Sequence, residues 1–196
     1  WIWRDAHNRP TRLYRTAVDG SATALVYEES DPAIFMGLKR TAANGFIALT
    51  MSGPDISEVR LVPAADEAGE PRVVQPRRPG VLYEIDEWGG GLVSLTDADG
   101  AFDQKLLRLD PGSFALRETL VPHRPGIPII SIMPFRKALV RLEREEGLHR
   151  LVLLRPDGTE LPIAFEGAAY ALELPGGQQY SADRVTIVHQ APNSPR

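Results

Sequence analysis

The chain has 196 residues, with 22 Lys and Arg against 26 Asp and Glu, so that its net charge at neutral pH is −4. This length suffices for the core of one ordinary domain, and the lack of a basic excess argues against a nucleic-acid partner. There is no cysteine, which excludes disulfides and thiolate metal sites and leads us to expect a cytoplasmic protein. No apolar run approaches the roughly 20 residues of a membrane-spanning helix, so that no membrane contact is expected.

Short apolar runs with a period near two predict β-strands along the whole chain. The 17 glycines and 17 prolines leave little room for a helix, and turn dipeptides such as Asp-Gly and Gly-Gly separate the runs. This pattern is typical of an antiparallel all-β protein. The predicted strands are Trp1–Asp5, Arg12–Ala17, Ile34–Thr41, Phe46–Met51, Glu58–Pro63, Arg72–Gln75, Leu82–Glu87, Gly91–Thr96, Lys105–Asp110, Thr119–Val121, Ile129–Met133, Ala138–Glu143, Leu148–Leu154, Leu161–Ala164, Ala169–Leu174 and Val185–His189.

The stretch from Leu25 to Thr41 is predicted to connect two units of sheet. In this interpretation Val26 and Tyr27 close one unit, residues 28–32 cross over at Asp-Pro, and the next unit begins with an inner strand that contains Met36. The expected core draws on the apolar side chains of this and the later strands. They are Ile34, Met36, Leu38, Ile47, Leu49, Val59, Leu61, Leu92, Leu95, Leu107, Leu109, Ile130, Ile132, Leu139, Leu142, Leu151 and Leu153.

One strand pattern recurs four times, beginning at Arg12, Glu58, Lys105 and His149, at spacings of 46, 47 and 44 residues. A repeat of roughly 40–50 residues with four strands is typical of a β-propeller blade. We therefore predict a partial β-propeller of about three to four four-stranded antiparallel blades, with a β-sandwich as the alternative fold. The predicted parts are a terminal hairpin in residues 1–24, blades in residues 25–76, 77–122 and 123–165, and the start of a further blade in residues 166–196.

Such an array is expected to have open edges. A closed propeller needs 4–8 blades, and the chain begins with Trp1 instead of methionine, which suggests a piece of a longer product. Unpaired strand edges favour association. We therefore expect either a missing remainder or edge-to-edge self-association to cover them.

The region from Leu25 to Asp86 resembles a known protein family. The motifs that carry the resemblance are residues 26–29 (Val-Tyr-Glu-Glu) with Asp31 and Phe35 behind them, residues 38–41 (Leu-Lys-Arg-Thr), residues 57–60 (Ser-Glu-Val-Arg), and residues 76–78 (Pro-Arg-Arg) before Tyr83. They are similar to the N-terminal propeller domain of the prolyl oligopeptidase family of serine peptidases, in its oligopeptidase B, or protease II, branch. From Leu92 onward the similarity is one of repeat length and turn placement.

The resemblance implies a non-catalytic role for this chain. In that family a seven-bladed propeller caps an α/β-hydrolase domain, and seven blades of about 45 residues would take roughly 315 residues. The chain is then a part of the cap, its partner is the catalytic domain of the same polypeptide, and its role is to gate access of peptide substrates. Cleavage after Lys or Arg is implied for the whole enzyme.

The residues themselves indicate no catalytic machinery. A hydrolase nucleophile would need the pentapeptide G-x-S-x-G, which does not occur in the sequence. We therefore expect turn or solvent-facing serines at Ser52, Ser113 and Ser181. Metal-ligand spacing is absent among the histidines, which are His7, His123, His149 and His189. No catalytic residue, metal or cofactor is predicted.

Two groups of charged residues have alternative interpretations. Glu84, Asp86 and Glu87 could line a tunnel as the paired carboxylates of a carbohydrate-active propeller do, although a solvent-facing strand shows the same pattern. Arg77 and Arg78 lie between two prolines in a loop between repeats, and we predict an interdomain contact there.

Local turn chemistry explains the remaining motifs. Residues 143–147 (Glu-Arg-Glu-Glu-Gly) are expected to form a solvated hairpin tip, and Asp97, Asp99 and Gly100 a hairpin turn instead of a calcium loop.

A different class of function stays open beside the peptidase cap, namely a free-standing β-propeller or β-sandwich scaffold that binds a protein through its edges.

Overall fold

The structure is a computed structural model that describes residues 1–66 and 68–192, and within these ranges its regular elements are all β-strands. Glu67, and residues 193–196 at the end of the predicted last blade, lie outside the described residues. The described part contains no helix of the length and apolarity needed to cross a membrane. The chain divides into two compact units, Trp1–Glu84 and Ile85–Arg196.

The first unit contains two antiparallel sheets. The strands of the first sheet are β1 (Ile2–Arg4), β2 (Pro10–Thr16) and β3 (Thr23–Glu28), in the order β1-β2-β3. The strands of the second sheet are β4 (Phe35–Arg40), β5 (Phe46–Ser52), β6 (Ser57–Pro63) and β7 (Arg72–Gln75), in the order β4-β5-β6-β7. Both sheets are meanders, because each strand pairs with its neighbour along the chain.

The core of the first unit lies between its two sheets. Leu13 of β2 packs with Met36 of β4 and with Leu49 and Met51 of β5, all of them buried. These side chains occupy alternate positions, as expected for strands with one face on the core. Ile2, Val26 and Tyr27 of the first sheet pack against the same cluster.

The second unit contains two four-stranded sheets and a two-stranded one. The third sheet is formed by β8 (Tyr83–Trp88), β9 (Gly91–Thr96), β10 (Lys105–Leu109) and β11 (Leu116–Val121). The first two residues of β8 belong to the first unit. The fourth is formed by β12 (Ile129–Pro134), β13 (Leu139–Glu145), β14 (Leu148–Leu154) and β15 (Glu160–Ile163), and β16 (Ala171–Glu173) pairs with β17 (Val188–Gln190).

Apolar clusters cover both faces of the fourth sheet. Leu139 and Leu154 pack with Trp88 and Val93 of the third sheet. On the opposite face, Val140, Leu142 and Leu151 pack with Leu172 of β16. The first five residues of β13, three apolar and two charged, are all buried.

The strand arrangement confirms the all-β fold and the four-stranded antiparallel blades of a partial propeller. Each four-stranded sheet is a sequential meander, as in a propeller blade, and not the Greek key of a β-sandwich. Every predicted strand overlaps an observed one, but β3 was not predicted. Leu25 therefore lies in the first sheet, where it pairs with Tyr14, and the connection to β4 is residues 29–34.

Most of the predicted core is buried, but two of its members are exposed. Leu38 is 44% exposed and Ile130 is 42% exposed, so these two predictions were wrong. Leu38 lies on β4, which has a paired neighbour on one side only. The register of β12 shifts between Ile129 and Ser131, and Ile129 takes the buried position next to Ile130. Ile47, Ile132 and Leu153 are partly buried.

Candidate functional site

Arg77 lies in the connection between β7 and β8 and joins the two sheets of the first unit. Its Nη2 donates hydrogen bonds to the Glu29 carboxylate, which follows β3, and to the Tyr27 hydroxyl at 3.1 Å. The same nitrogen lies 3.2 Å from Sδ of Met51 on β5. Glu29 is also held by the backbone N–H of Asp31, which donates to its Oε1 at 2.9 Å.

A second carboxylate completes the cluster on the side of the second sheet. Glu58 Oε2 on β6 lies 3.3 Å from Nε of Arg77, and Glu58 Oε1 accepts a hydrogen bond of 2.7 Å from Nε of Arg60. The guanidinium of Arg60 lies over the Tyr27 ring, 4.4 Å from its centroid. We call these residues the Arg77 cluster: Tyr27, Glu29, Glu58, Arg60 and Arg77.

The two carboxylates of this cluster are buried, so their charged forms depend on the neighbouring arginines and hydrogen-bond donors. The side chains of Glu29 and Glu58 are 4% and 7% exposed, against 21% for Arg77. Burial is the largest single influence on the pKa of Glu29 and would raise it, but the hydrogen bonds from Arg77, the Asp31 N–H and the Tyr27 hydroxyl, together with the charge of Arg77, outweigh burial and lower the pKa. The hydrogen bond to Glu29 raises the pKa of Arg77, and burial raises the pKa of the Tyr27 hydroxyl. Glu29 and Arg77 therefore stay charged at neutral pH, and the cluster ties β3, β6 and the Arg77 loop together.

Of the two arginines predicted to make an interdomain contact, Arg77 is held within the first unit by these contacts. Arg78 is exposed in the same loop. The contact of Arg77 and Arg78 with another domain stays a prediction. Sequence reasoning did not find Glu29 and Glu58 as partners of Arg77, because they are 48 and 19 positions away and only the packing of the two sheets brings them together.

A second buried charge cluster lies on the fourth sheet. Arg141 and Glu143 on β13 are both fully buried, and Nε of Arg141 donates to Glu143 Oε1 at 2.9 Å. Arg124 donates to the same oxygen, and Nη1 of Arg141 donates to Glu160 Oε1 at 2.8 Å. The interpretation of residues 143–147 as a solvated tip was therefore wrong for Glu143, because β13 continues to Glu145 and alternation turns Glu143 inward beside Arg141.

The acidic residues that suggested a carbohydrate site lie on β8. Glu84 is exposed, and Asp86 and Glu87 are half-buried. Oδ1 of Asp86 accepts a hydrogen bond of 2.8 Å from the backbone N–H of Glu87. These contacts fit a partly solvent-facing strand.

Seven serines and histidines have the residue types of a hydrolase active site. Ser52, Ser113 and Ser181 are exposed, and the hydroxyl of Ser113 donates to Asp110 within a turn. Nδ1 of His149 accepts a hydrogen bond from the backbone N–H of Leu172, and His123 accepts one from that of Asp103. His7 and His189 are exposed. Among the described residues, no group of three or more His, Asp or Glu side chains could hold a metal.

The sequence matches a family model described as prolyl oligopeptidase, N-terminal β-propeller domain, over residues 2–187. Protease 2 of Moraxella lacunata is 25% identical over 194 residues, an alignment that covers 98% of this chain and 28% of that protein. Dipeptidyl aminopeptidase BI of Pseudoxanthomonas mexicana is 29% identical over 177 residues, which cover 89% of this chain and 24% of that protein. The chain thus spans less than a third of each of these relatives.

Solved structures show the same fold. Oligopeptidase B from Leishmania major superposes with a TM-score of 0.87 at 22% identity, covering 96% of this chain and 28% of that one. Oligopeptidase B from Trypanosoma brucei with covalently bound antipain, in its closed form, gives a TM-score of 0.84 at 22% identity and covers 96% of this chain and 29% of that one.

Proposed function

Because this chain belongs to the prolyl oligopeptidase family, of whose N-terminal β-propeller domain it forms a part, we propose that it helps to cover the active site of a serine peptidase and to exclude folded substrates by size. The match to the N-terminal propeller over residues 2–187 carries this proposal. The relatives are three to four times as long, since the aligned regions cover 28% and 24% of them. The catalytic α/β-hydrolase domain would be carried elsewhere in the full-length polypeptide.

The packing of the chain suits such a cover. Buried apolar clusters and the Arg77 cluster hold neighbouring sheets of the first unit together, and the fourth sheet is covered on both faces. A rigid array of sheets can restrict the size of molecules that reach a catalytic centre, because it does not open as a flexible loop would. Peptide substrates cleaved after Lys or Arg, and a cytoplasmic location, belong to the same proposal and rest on the oligopeptidase B similarity and on the lack of cysteine.

The full-length protein and two matched substrates test the proposal. One substrate is a short fluorogenic peptide with a Lys-Arg pair, and the other is a small folded protein that carries the same segment in a surface loop. We expect the full-length protein to cleave the peptide and to cleave the folded protein at least about a hundredfold more slowly, limited by its unfolding. Trypsin, which has no propeller cover, is the control and should cleave both.

Three results would contradict the proposal. Hydrolysis of the peptide by the 196-residue chain alone would place catalytic groups in it. Equal cleavage of both substrates by the full-length protein would rule out exclusion by size. A full-length protein that cleaves neither substrate would favour the scaffold alternative.

A further inference from the structure

Three polar atoms of the buried charge cluster on the fourth sheet have no hydrogen-bond partner among the described residues. We call these side chains the Arg141 cluster: Arg124, Arg141, Glu143 and Glu160. The three atoms are Nη2 of Arg141, Oε2 of Glu143 and Nε of Arg124, and each is out of contact with solvent. Arg141 and Glu143 are fully buried as whole side chains. Buried polar atoms in native proteins nearly always have a partner, so these three indicate a bound molecule.

The three atoms lie together because their groups meet at Glu143. Nε of Arg141 donates to Oε1 of Glu143 at 2.9 Å, and Nη2 of Arg124 donates to the same oxygen. In a guanidinium, Nε–H and one Nη2–H bond point to the same side. The free Nη2 of Arg141 is therefore on the edge that faces the Glu143 carboxylate, and Oε2 is the other oxygen of that carboxylate. In Arg124 the free Nε is bonded to the same carbon as the donating Nη2.

The neighbouring side chains leave no room for a third bond within the cluster. Nη1 of Arg141 already donates to Oε1 of Glu160 at 2.8 Å, on the other side of the guanidinium. Leu139 precedes Arg141 and Glu143 at alternate positions of β13 and packs with Trp88 and Val93 of the third sheet. The free atoms therefore lie on the face of β13 that is turned to the third sheet, where apolar side chains offer them no partner.

The charges of the site favour a neutral ligand. The Arg141 cluster contains two arginines and two glutamates, so cationic and anionic side chains are equal in number. Arg150, which also acts on Glu160, is paired with Glu145 and adds no net charge. An added anion would lie beside Oε2 of Glu143, and an added cation beside two guanidinium nitrogens. Either would be a buried charge without compensation.

We propose that the Arg141 cluster binds one water molecule, which donates a hydrogen bond to Oε2 of Glu143 and accepts hydrogen bonds from Nη2 of Arg141 and Nε of Arg124. Water is neutral and is both a donor and an acceptor, and about three hydrogen bonds are typical of a buried water. Arg124 lies in the connection between β11 and β12, whereas Arg141 and Glu143 lie on β13. The water thus joins the connection from the third sheet to the middle of the fourth. This inference does not depend on the proposed function, because all its residues belong to the second unit.

A high-resolution crystal structure of the full-length protein, grown in sodium bromide, tests the identity of the ligand. We expect density for one water oxygen within about 2.7–3.2 Å of Oε2 of Glu143 and of the two free nitrogens, without an anomalous signal from bromide. A direct bond from Nη2 of Arg141 to Oε2 of Glu143, with no density beside it, would overturn the proposal. Bromide at this position would overturn it in favour of an anion site.

Magnetic relaxation dispersion of the water oxygen nucleus counts long-lived internal waters in solution. The double variant Arg141→Met/Glu143→Leu should hold about one such water fewer than the wild type, because an apolar site stays dry. Arg12→Met/Glu28→Leu is the matched control: it removes an ion pair between neighbouring strands whose side chains are 41% and 49% exposed, and it should lose none. An unchanged count in the first variant, or an equal loss in both, would overturn the proposal. The crystal measurement needs no substitution, so it decides the question even where the double variant does not fold.

Discussion

Replacing Arg77 by alanine removes the cation that joins the two sheets of the first unit. Glu29 and Glu58 would stay almost fully buried, with side chains 4% and 7% exposed. Glu58 keeps Arg60 as a partner at 2.7 Å, so Glu29 bears most of the loss. It retains the hydrogen bonds from the Tyr27 hydroxyl and from the N–H of Asp31.

The expected cost follows from the burial of these groups. Breaking a buried ion pair by removing one partner costs about 3–5 kcal/mol. Arg77 is 21% exposed, and water can reach part of the vacated space, so we expect a smaller cost than this range, about 2–3 kcal/mol. Arg78→Ala is the matched control in the same exposed loop and should change stability by no more than about 0.5 kcal/mol.

The cost should also depend on pH in a defined direction. The pKa of Glu29 in the folded chain lies below its ordinary value of 4.5. A carboxylate with a lowered pKa stabilises the folded state above its unfolded pKa, and this stabilisation is lost as the pH falls through the folded pKa. The difference between the wild-type chain and Arg77→Ala should therefore be fully present at pH 7 and shrink below pH 4.5.

Urea unfolding followed by circular dichroism at pH 7 and at several acidic pH values measures both effects. An Arg77→Ala chain that is no less stable than Arg78→Ala at pH 7 would show that Arg77 does not compensate the buried Glu29. A difference that persists unchanged well below the ordinary pKa of Glu29 would show the same, because a protonated Glu29 no longer needs the cation.

Three further predictions concern the second unit. Trp88→Phe should cost roughly 1–3 kcal/mol in urea unfolding, because Nε1 of the fully buried Trp88 donates to the carbonyl of Phe135 at 3.0 Å and that oxygen would lose its partner. The blue-shifted part of the tryptophan fluorescence, which comes from this buried side chain, should disappear in the variant. Arg141→Met should cost about 3–5 kcal/mol, whereas the double variant Arg141→Met/Glu143→Leu should recover most of this loss, since both fully buried charges of β13 are then removed. Gly147→Ala should cost about 1 kcal/mol in the same assay, because Gly147 has a φ of +82° in the turn between β13 and β14.

The sequence predicted the strands and their turns well because both depend on local chemistry. Strands such as Gly91–Thr96 and Leu148–Leu154 have the predicted bounds, and each combines period-two apolar residues with a turn on either side. Gly89 and Gly90, with φ values of +62° and +75°, form the turn between β8 and β9. Such conformations are readily adopted by glycine whatever the rest of the chain does.

The strand β3 shows where this local approach fails. Its pairing with β2 shifts between Leu13 and Tyr14, so that Val26 interrupts the alternation, and both Val26 and Tyr27 pack on the core cluster. A run with two adjacent core-facing residues does not show a period of two. The stretch was therefore interpreted as a connection.

Buried charges were the other failure, and the reason is again physical. Glu29, Glu58 and Arg77 come from three separate segments, and their charges are tolerable in the interior only because they meet there. No local sequence pattern indicates that these three side chains come together. Glu143 was assigned to a solvated tip because charged residues are rarely buried unless paired. The predicted strand Ala138–Glu143 already contained both Arg141 and Glu143, but only the packing around β13 shows that the two are buried together.

The two buried charge clusters point to a role in selecting which sheets pack together. Four-stranded sheets with aliphatic faces resemble one another, so apolar packing alone would allow a sheet to slide or to choose another neighbour. Arg141 and Glu143 lie at alternate positions after Leu139 on one face of β13. Glu160, a partner of Arg141, lies on β15 of the same sheet, whereas Arg124, a partner of Glu143, lies in the connection from the third sheet to the fourth. A displaced third sheet would therefore leave the buried Glu143 without Arg124. We infer that the pair restricts the packing of the fourth sheet more than it adds to stability. The double variant separates the two contributions: a chain of normal stability that binds a hydrophobic dye and unfolds less cooperatively supports selection, whereas a chain that unfolds as sharply as the wild type shows that apolar shape alone specifies the arrangement.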